Sequence, residues 1–146
     1  MTPIEETDGE FKGWLTWPHE PFEHDTVGPF YFKKIDGEYV SRFRAEPRHM
    51  NMGGVMHGGC LMTFADFALF AICADELSAG DNPGYGVTVA FNCEFISGPK
   101  VGDLIEARGE VIRAGGSLIF IRGQVSANDQ VALNFSGTVK RLRIRG

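Results

Sequence analysis

The chain has 146 residues, of which 43% are hydrophobic and 23% charged, and carries a formal net charge of −5. That length suits one domain with its own core. The acidic balance argues against a general nucleic-acid partner, and the composition is that of an ordinary globular protein. Charge is uneven: Glu5, Glu6, Asp8, Glu10, Glu20, Glu23 and Asp25 crowd the first 25 residues, and Lys140, Arg141, Arg143 and Arg145 the last seven. Both ends read most simply as solvated surface; the basic end also suits a phosphorylated ligand.

Residues 1–26 show no clean period. They read as a partly ordered arm with one short helix near 9–16, its Phe11, Trp14, Trp17 and Phe22 laid on the body. The start is acidic and lacks an apolar signal region, and the three cysteines have neither metal nor redox spacing. Buried free thiols in a soluble, cytoplasmic protein fit this pattern. The segment Val27–Lys34 is aromatic and β-prone, Asp36-Gly37 marks a turn, and Glu38–Ala45 resumes as strand, so a hairpin is expected.

Pro47 to Gly54 is loop, and a helix is expected from about Gly58 to Leu77. Leu61, Met62, Phe64, Ala65, Ala68, Leu69, Phe70, Ile72 and Cys73 cover nearly all its faces, so protein should surround it. The stretch Cys60–Ala74 is too short for a bilayer span and holds Asp66, so no membrane role is expected. Ser78–Gly84 ends the helix. Strands follow at Val87–Phe95, Asp103–Ala114, Ser117–Ala127 and Gln130–Ile144. In the first of these, Val87, Val89, Phe91, Cys93 and Phe95 alternate with Thr88, Ala90, Asn92 and Glu94. One apolar helix and about six antiparallel strands imply an α+β fold, a sheet curled around the helix, with residues 27–146 as its domain.

The run Asn51-Met52-Gly53-Gly54-Val55-Met56-His57-Gly58-Gly59 leads directly into that helix. A helix start offers unpaired N–H groups and the positive end of the macrodipole, a good place for a developing oxyanion. Asp66 is the single charge in the apolar segment, and a buried carboxylate needs a partner or a task. It lies nine residues after His57, roughly 13 Å along a helix and about half a turn around it. On one helix the two cannot reach the same substrate atom. Either Asp66 is unrelated to the loop, or a second subunit supplies it across a two-fold axis.

Asn51, the sequence Gly54-Val55-Met56-His57-Gly58-Gly59, Asp66, Gly86-Val87-Thr88-Val89 and Phe95-Ile96-Ser97-Gly98-Pro99-Lys100-Val101-Gly102-Asp103, in that order, resemble the hotdog-fold acyl-CoA thioesterases of the phenylacetate-pathway (PaaI-like) group, including the thioesterase superfamily member 2 type. The likeness runs from about residue 27 to 143. It implies a homodimer, and commonly a homotetramer, with active sites at the dimer interface. It also implies that the Gly58 N–H polarises the thioester carbonyl, Asn51 helps hold it, and Asp66 of the other subunit deprotonates water assisted by Thr88. His57 would position loop and substrate. The substrate would be an aryl- or fatty-acyl-CoA, and the chemistry needs no metal or cofactor.

Each residue also has a simpler reading: Asp66 as a buried cap, Asn51 as a turn former, Gly58 and Gly59 as packing glycines, His57 as a loop histidine, Thr88 as a strand residue. For CoA, Arg113 beside Gly115-Gly116-Ser117, Lys100 and the Lys140–Arg145 tail are candidates. Gly59, Met56, Met62, Phe64 and Phe67 are candidates for the acyl groove. His19, Glu20, Glu23, His24 and His49 match no standard metal spacing. A non-catalytic acyl-CoA-binding module on the same fold is the main alternative. A hydratase would need an acid/base pair that is not found here, and an acyl-CoA sensor acting on DNA would need a helix-turn-helix segment.

Overall fold

The computed structural model describes residues 2–80 and 84–142. Its centre is a helix, α1 (Gly58–Ile72), held in an antiparallel sheet. The strands are β1 (Ile4–Glu5), β2 (Leu15–Thr16), β3 (Tyr31–Ile35), β4 (Glu38–Arg44), β5 (Gly86–Phe95), β6 (Leu104–Ala114), β7 (Leu118–Ala127) and β8 (Gln130–Arg141). Their spatial order is β1-β2-β3-β4-β6-β7-β8-β5, so β5 is an edge. The six long strands and the helix are those expected from the sequence. The arm adds two short strands, extending the sheet to eight.

The β3–β4 hairpin turns where expected, at Asp36 (φ 51°) and Gly37 (φ 84°). Two consecutive positive-φ residues match the right-handed twist of the flanking strands. Helix α1 stops at Cys73, and a single further turn, α2 (Ala74–Leu77), follows. The expected continuous helix to Leu77 is therefore broken. The strand ends also shift slightly: β8 closes at Arg141, while Ile144, with Arg143 and Arg145 of the basic tail, lies outside the described residues, as do Asp81, Asn82 and Pro83 of the loop after the helix.

Phe64, Ala65, Ala68, Leu69 and Ala71 of α1 are fully buried. Phe64 meets Phe30 and Phe43 at ring distances of 5.1 and 4.7 Å. The sheet approaches the helix closely at Gly137, where a Cβ would fall 2.5 Å from Leu69 Cδ1. Burying a large aromatic side chain here contributes about 1.5–3 kcal/mol.

No helix forms at residues 9–16. The arm instead makes a turn between β1 and β2, with Gly9 at φ 77° and Gly13 at φ 89°. These glycines reverse the chain where a helix would need φ near −60°. Trp17 stacks on Phe32 at 4.4 Å and meets Phe67 edge-on at 5.1 Å. Glu6 accepts a hydrogen bond from Tyr31 Oη at 3.0 Å, and Arg44 donates to Glu10. A π-type turn, Glu23–Val27, then contacts α1, and Arg48 donates to the carbonyls of Thr26 and Gly28. Phe22 is left 63% exposed, so only part of the arm's aromatic set packs on the body.

Strand β5 departs from the expected alternation. Its register with β8 shifts between Thr88 and Ala90, which is a β-bulge. Val87 and Val89 are consequently exposed (42% and 53%), while Thr88, opposite the buried Val139, turns toward the helix. An extra residue on one strand re-aims the side chains before it.

Candidate active site

The loop before α1 is a closed ring of backbone bonds. Asn51 N donates to Val55 O at 2.8 Å, Met56 N to Pro99 O at 2.7 Å and His57 N to His49 O at 2.8 Å. Asn51 Oδ1 accepts from Gly53 N at 2.9 Å and Val55 N at 3.3 Å, which makes Asn51 a turn former. These bonds use only its carbonyl, and its amide has no acceptor among the described residues.

His57 is the N-cap of α1: its Nδ1 accepts from Gly59 N at 2.8 Å. An accepting Nδ1 puts the proton of the neutral ring on Nε2. His57 therefore orients the loop and keeps one donor outward. The Gly58 N–H, first of the helix, has no intrahelical acceptor. Gly58 lines a cavity with Val55, Met56, Leu61, Phe95, Ile96, Ser97 and Gly98. A side chain at Gly58 would strike the Phe95 ring at 2.9 Å, and one at Gly59 would strike His57 Nδ1 at 2.9 Å.

Asp66 is half-buried and far from this loop. Thr88 Oγ1 donates to its Oδ1 at 2.6 Å. Oδ2 has no hydrogen-bond partner among the described residues. The pair lines a cavity of about 300 Å³ with Trp17, Glu20, Glu23, Phe67, Phe70, Gly86 and Val87. The structure thus brings Asp66 to Thr88, groups Asn51, His57, Gly58 and Gly59 around the start of the helix, and keeps Gly58 and Asp66 in separate cavities.

The remaining candidates divide. Met56 (3% exposed) borders the Gly58 cavity; Phe67 borders the Asp66 cavity; Phe64 is wholly core. Arg113 is exposed opposite Phe120, at the end of β6. The turn Gly115-Gly116-Ser117 is closed by Gly115 N to Leu118 O and Arg141 N to Ser117 O, both 2.8 Å. These residues line neither cavity. Arg141 is already spent on the carbonyls of Gly115 and Glu76. Lys100 is exposed in the loop whose Pro99 holds Met56, at the Gly58 end.

Burial pushes the Cys60 thiol up to about 11 and Cys73 to about 12, so neither is a thiolate at neutral pH. His49 is 4% exposed; its Nε2 lies 2.8 Å from Val27 O and its Nδ1 accepts from Glu46 N, so it clamps the arm to the loop. Sequence reading missed Trp17, Glu20 and Glu23 as neighbours of Asp66. No local pattern signals a contact formed across some forty residues.

Residues 53–133 match the model of the Thioesterase superfamily. A Pseudomonas aeruginosa protein named as an esterase is 29% identical over 115 residues, covering 77% of this chain and 83% of that protein. Human acyl-coenzyme A thioesterase 13 is 29% identical over 85 residues, 58% of this chain and 57% of that enzyme's length. A point variant of the phenylacetic acid degradation protein PaaI from Thermus thermophilus superposes with a TM-score of 0.68 at 25% identity, covering 84% of this chain and all of that one. With the hotdog arrangement of curled sheet and central helix, and with more than half its length matched, this chain belongs to the thioesterase superfamily.

Proposed function

We propose that the protein hydrolyses acyl-CoA thioesters, of aryl or fatty acids, to free acid and CoA. The carrying observation is the Asp66 carboxylate, which lines a cavity and is held on one oxygen by Thr88. Water attacks the thioester carbon as Asp66 takes its proton. The oxyanion accepts from the Gly58 N–H at the helix start and from the Asn51 amide. The C–S bond then breaks and the CoA sulfur takes the proton from Asp66. His57 orients the loop, and Met56 and Gly59 border the substrate. Lys100 is better sited for a CoA phosphate than Arg113, Gly116 or Ser117.

Asp66 and Gly58 of one chain cannot share a substrate, so the site is composite. Strand β5 supports this reading: it is a sheet edge, and Val87, Val89 and Phe95 are 42%, 53% and 56% exposed along it. An unpaired apolar edge invites strand pairing. Antiparallel pairing of two copies about a two-fold brings the Thr88 end of one β5 against the Phe95 end of the other. That sets Asp66 of one subunit toward Gly58 of its partner, twice per dimer. Pairing of dimers would give the homotetramer common in the family.

The test is thiol release from aryl- and acyl-CoA esters by Asp66→Asn, Asn51→Ala, and the two mixed after reversible dissociation. A composite site predicts two weak variants and a mixture recovering about one quarter of wild-type activity, because half the dimers are mixed and each holds one intact site. No recovery in verified mixed dimers refutes the shared site. No thiol release by wild type, with CoA esters bound, would make the protein a binding module instead.

A further inference from the structure

The arm roofs the Asp66 cavity and brings two carboxyl groups to it. Glu20 and Glu23 line the cavity beside Asp66, with Trp17, Phe67 and Phe70 as apolar wall. Neither glutamate side chain makes a hydrogen bond to a described residue. Among the described residues no cation lines the cavity. His19, His24 and Arg48 do not line it; His24 pairs with Asp25 at 2.7 Å, and Arg48 donates to Glu46 and the carbonyls of Thr26 and Gly28. Trp17 and Phe70 also wall a second cavity of about 200 Å³, lined further by Leu15, Phe32, Tyr39 and an Asp75 that accepts from Lys34 and Tyr39.

We propose that the acyl group of the substrate lies under the arm beside Asp66, and that Glu23, with Glu20, determines specificity by restricting it to acyl groups without a terminal anion. This rests on the thioester-hydrolase reading above. An acyl chain ending in a carboxylate would bring a negative charge out of water into a space that already holds three acids and no compensating cation. An alkyl or aryl end meets Trp17, Phe67 and Phe70 with no such cost. Such a rejection is a repulsive device, separate from the attraction of the apolar wall.

The rejection has a pH signature. Burial, then the nearby charges of Glu20 and Asp66, push Glu23 up to about 8. Thr88 faces the cavity from β5 but does not titrate, so the titrating groups around Glu23 are Glu20 of the arm and Asp66 of α1. Below pH 8 Glu23 is largely neutral; above it, a further negative charge enters the cavity, and discrimination deepens.

The experiment compares octanoyl-CoA with its ω-carboxylate analogue, suberoyl-CoA, as a ratio of kcat/KM values from pH 6.5 to 9.5. Wild type should favour octanoyl-CoA by about a hundredfold or more at high pH, the ratio rising through pH 8. In Glu20→Gln/Glu23→Gln the ratio should fall at least about tenfold and lose its pH dependence. Glu23→Gln alone, which keeps the side-chain shape, should remove the pH-dependent part. A ratio equal in wild type and variants at every pH, with brisk turnover, overturns this proposal and leaves the thioesterase reading standing. Absence of thiol release from every CoA ester overturns both.

Discussion

Asp66→Asn separates charge from shape. Thr88 Oγ1 donates to Asp66 Oδ1 at 2.6 Å, and the amide oxygen of asparagine can still accept that bond. The amide nitrogen then replaces Oδ2, the oxygen that has no hydrogen-bond partner among the described residues. It donates where the carboxylate accepts, so it cannot take a proton from water. Loss of a general base costs about 10²–10⁴ in rate, or about 3–5 kcal/mol of barrier. Fold and assembly should survive, because volume and the Thr88 bond are kept. The assay is thiol release from CoA esters, with far-UV circular dichroism, Tm and sedimentation as controls. Turnover within about threefold of wild type would refute Asp66 as the base. A collapse in Tm would mark it as a structural carboxylate.

Thr88→Val leaves Asp66 without its one hydrogen-bond donor, so kcat/KM should fall about tenfold or more and Tm by several degrees, since a bond to a charged group contributes about 1.5–3 kcal/mol; an unaltered kcat/KM would make Thr88 a mere strand residue. Gly58→Ala puts a Cβ 2.9 Å from the Phe95 ring, beside the N–H that serves the oxyanion. Its kcat should drop about tenfold, with partial rescue by Phe95→Ala, and failure of the second substitution to help would argue against the steric cause. Glu23 also links stability to pH: its folded value of about 8 exceeds the ordinary 4.5, so the folded state holds the proton more tightly. Its stabilising effect is complete below about 4.5 and lost as pH rises toward 8. Glu23→Gln should therefore raise Tm at pH 9 by about 3–8 °C and leave it unchanged at pH 4.5, as scanning calorimetry can check.

Local chemistry was enough for much of the chain. Asp36-Gly37 specified the hairpin because both residues tolerate positive φ. The unbroken apolar run after Gly58 specified a helix surrounded by protein, and the glycine-rich loop before it marked a helix start with free donors. The nine-residue step from His57 to Asp66 already set the acid well along the helix from the loop, and the proposal of a shared site starts from that spacing.

Contacts between distant segments supplied the rest. The bulge at Val89 reverses which residues of β5 face inward, and it follows from how β5 and β8 pair, not from the alternation of β5 alone. That reversal is what points Thr88 at Asp66. The arm's course was hidden because Gly9 and Gly13 overrode its helical reading, and its aromatic anchors meet partners distant in sequence. Short-range periodicity fixes which elements form; long-range packing fixes which side chains meet across them. For this protein, residue order alone was enough for the helix, the long strands and the loop-plus-aspartate pattern, whereas only the folded chain brought Glu20 and Glu23 to Asp66.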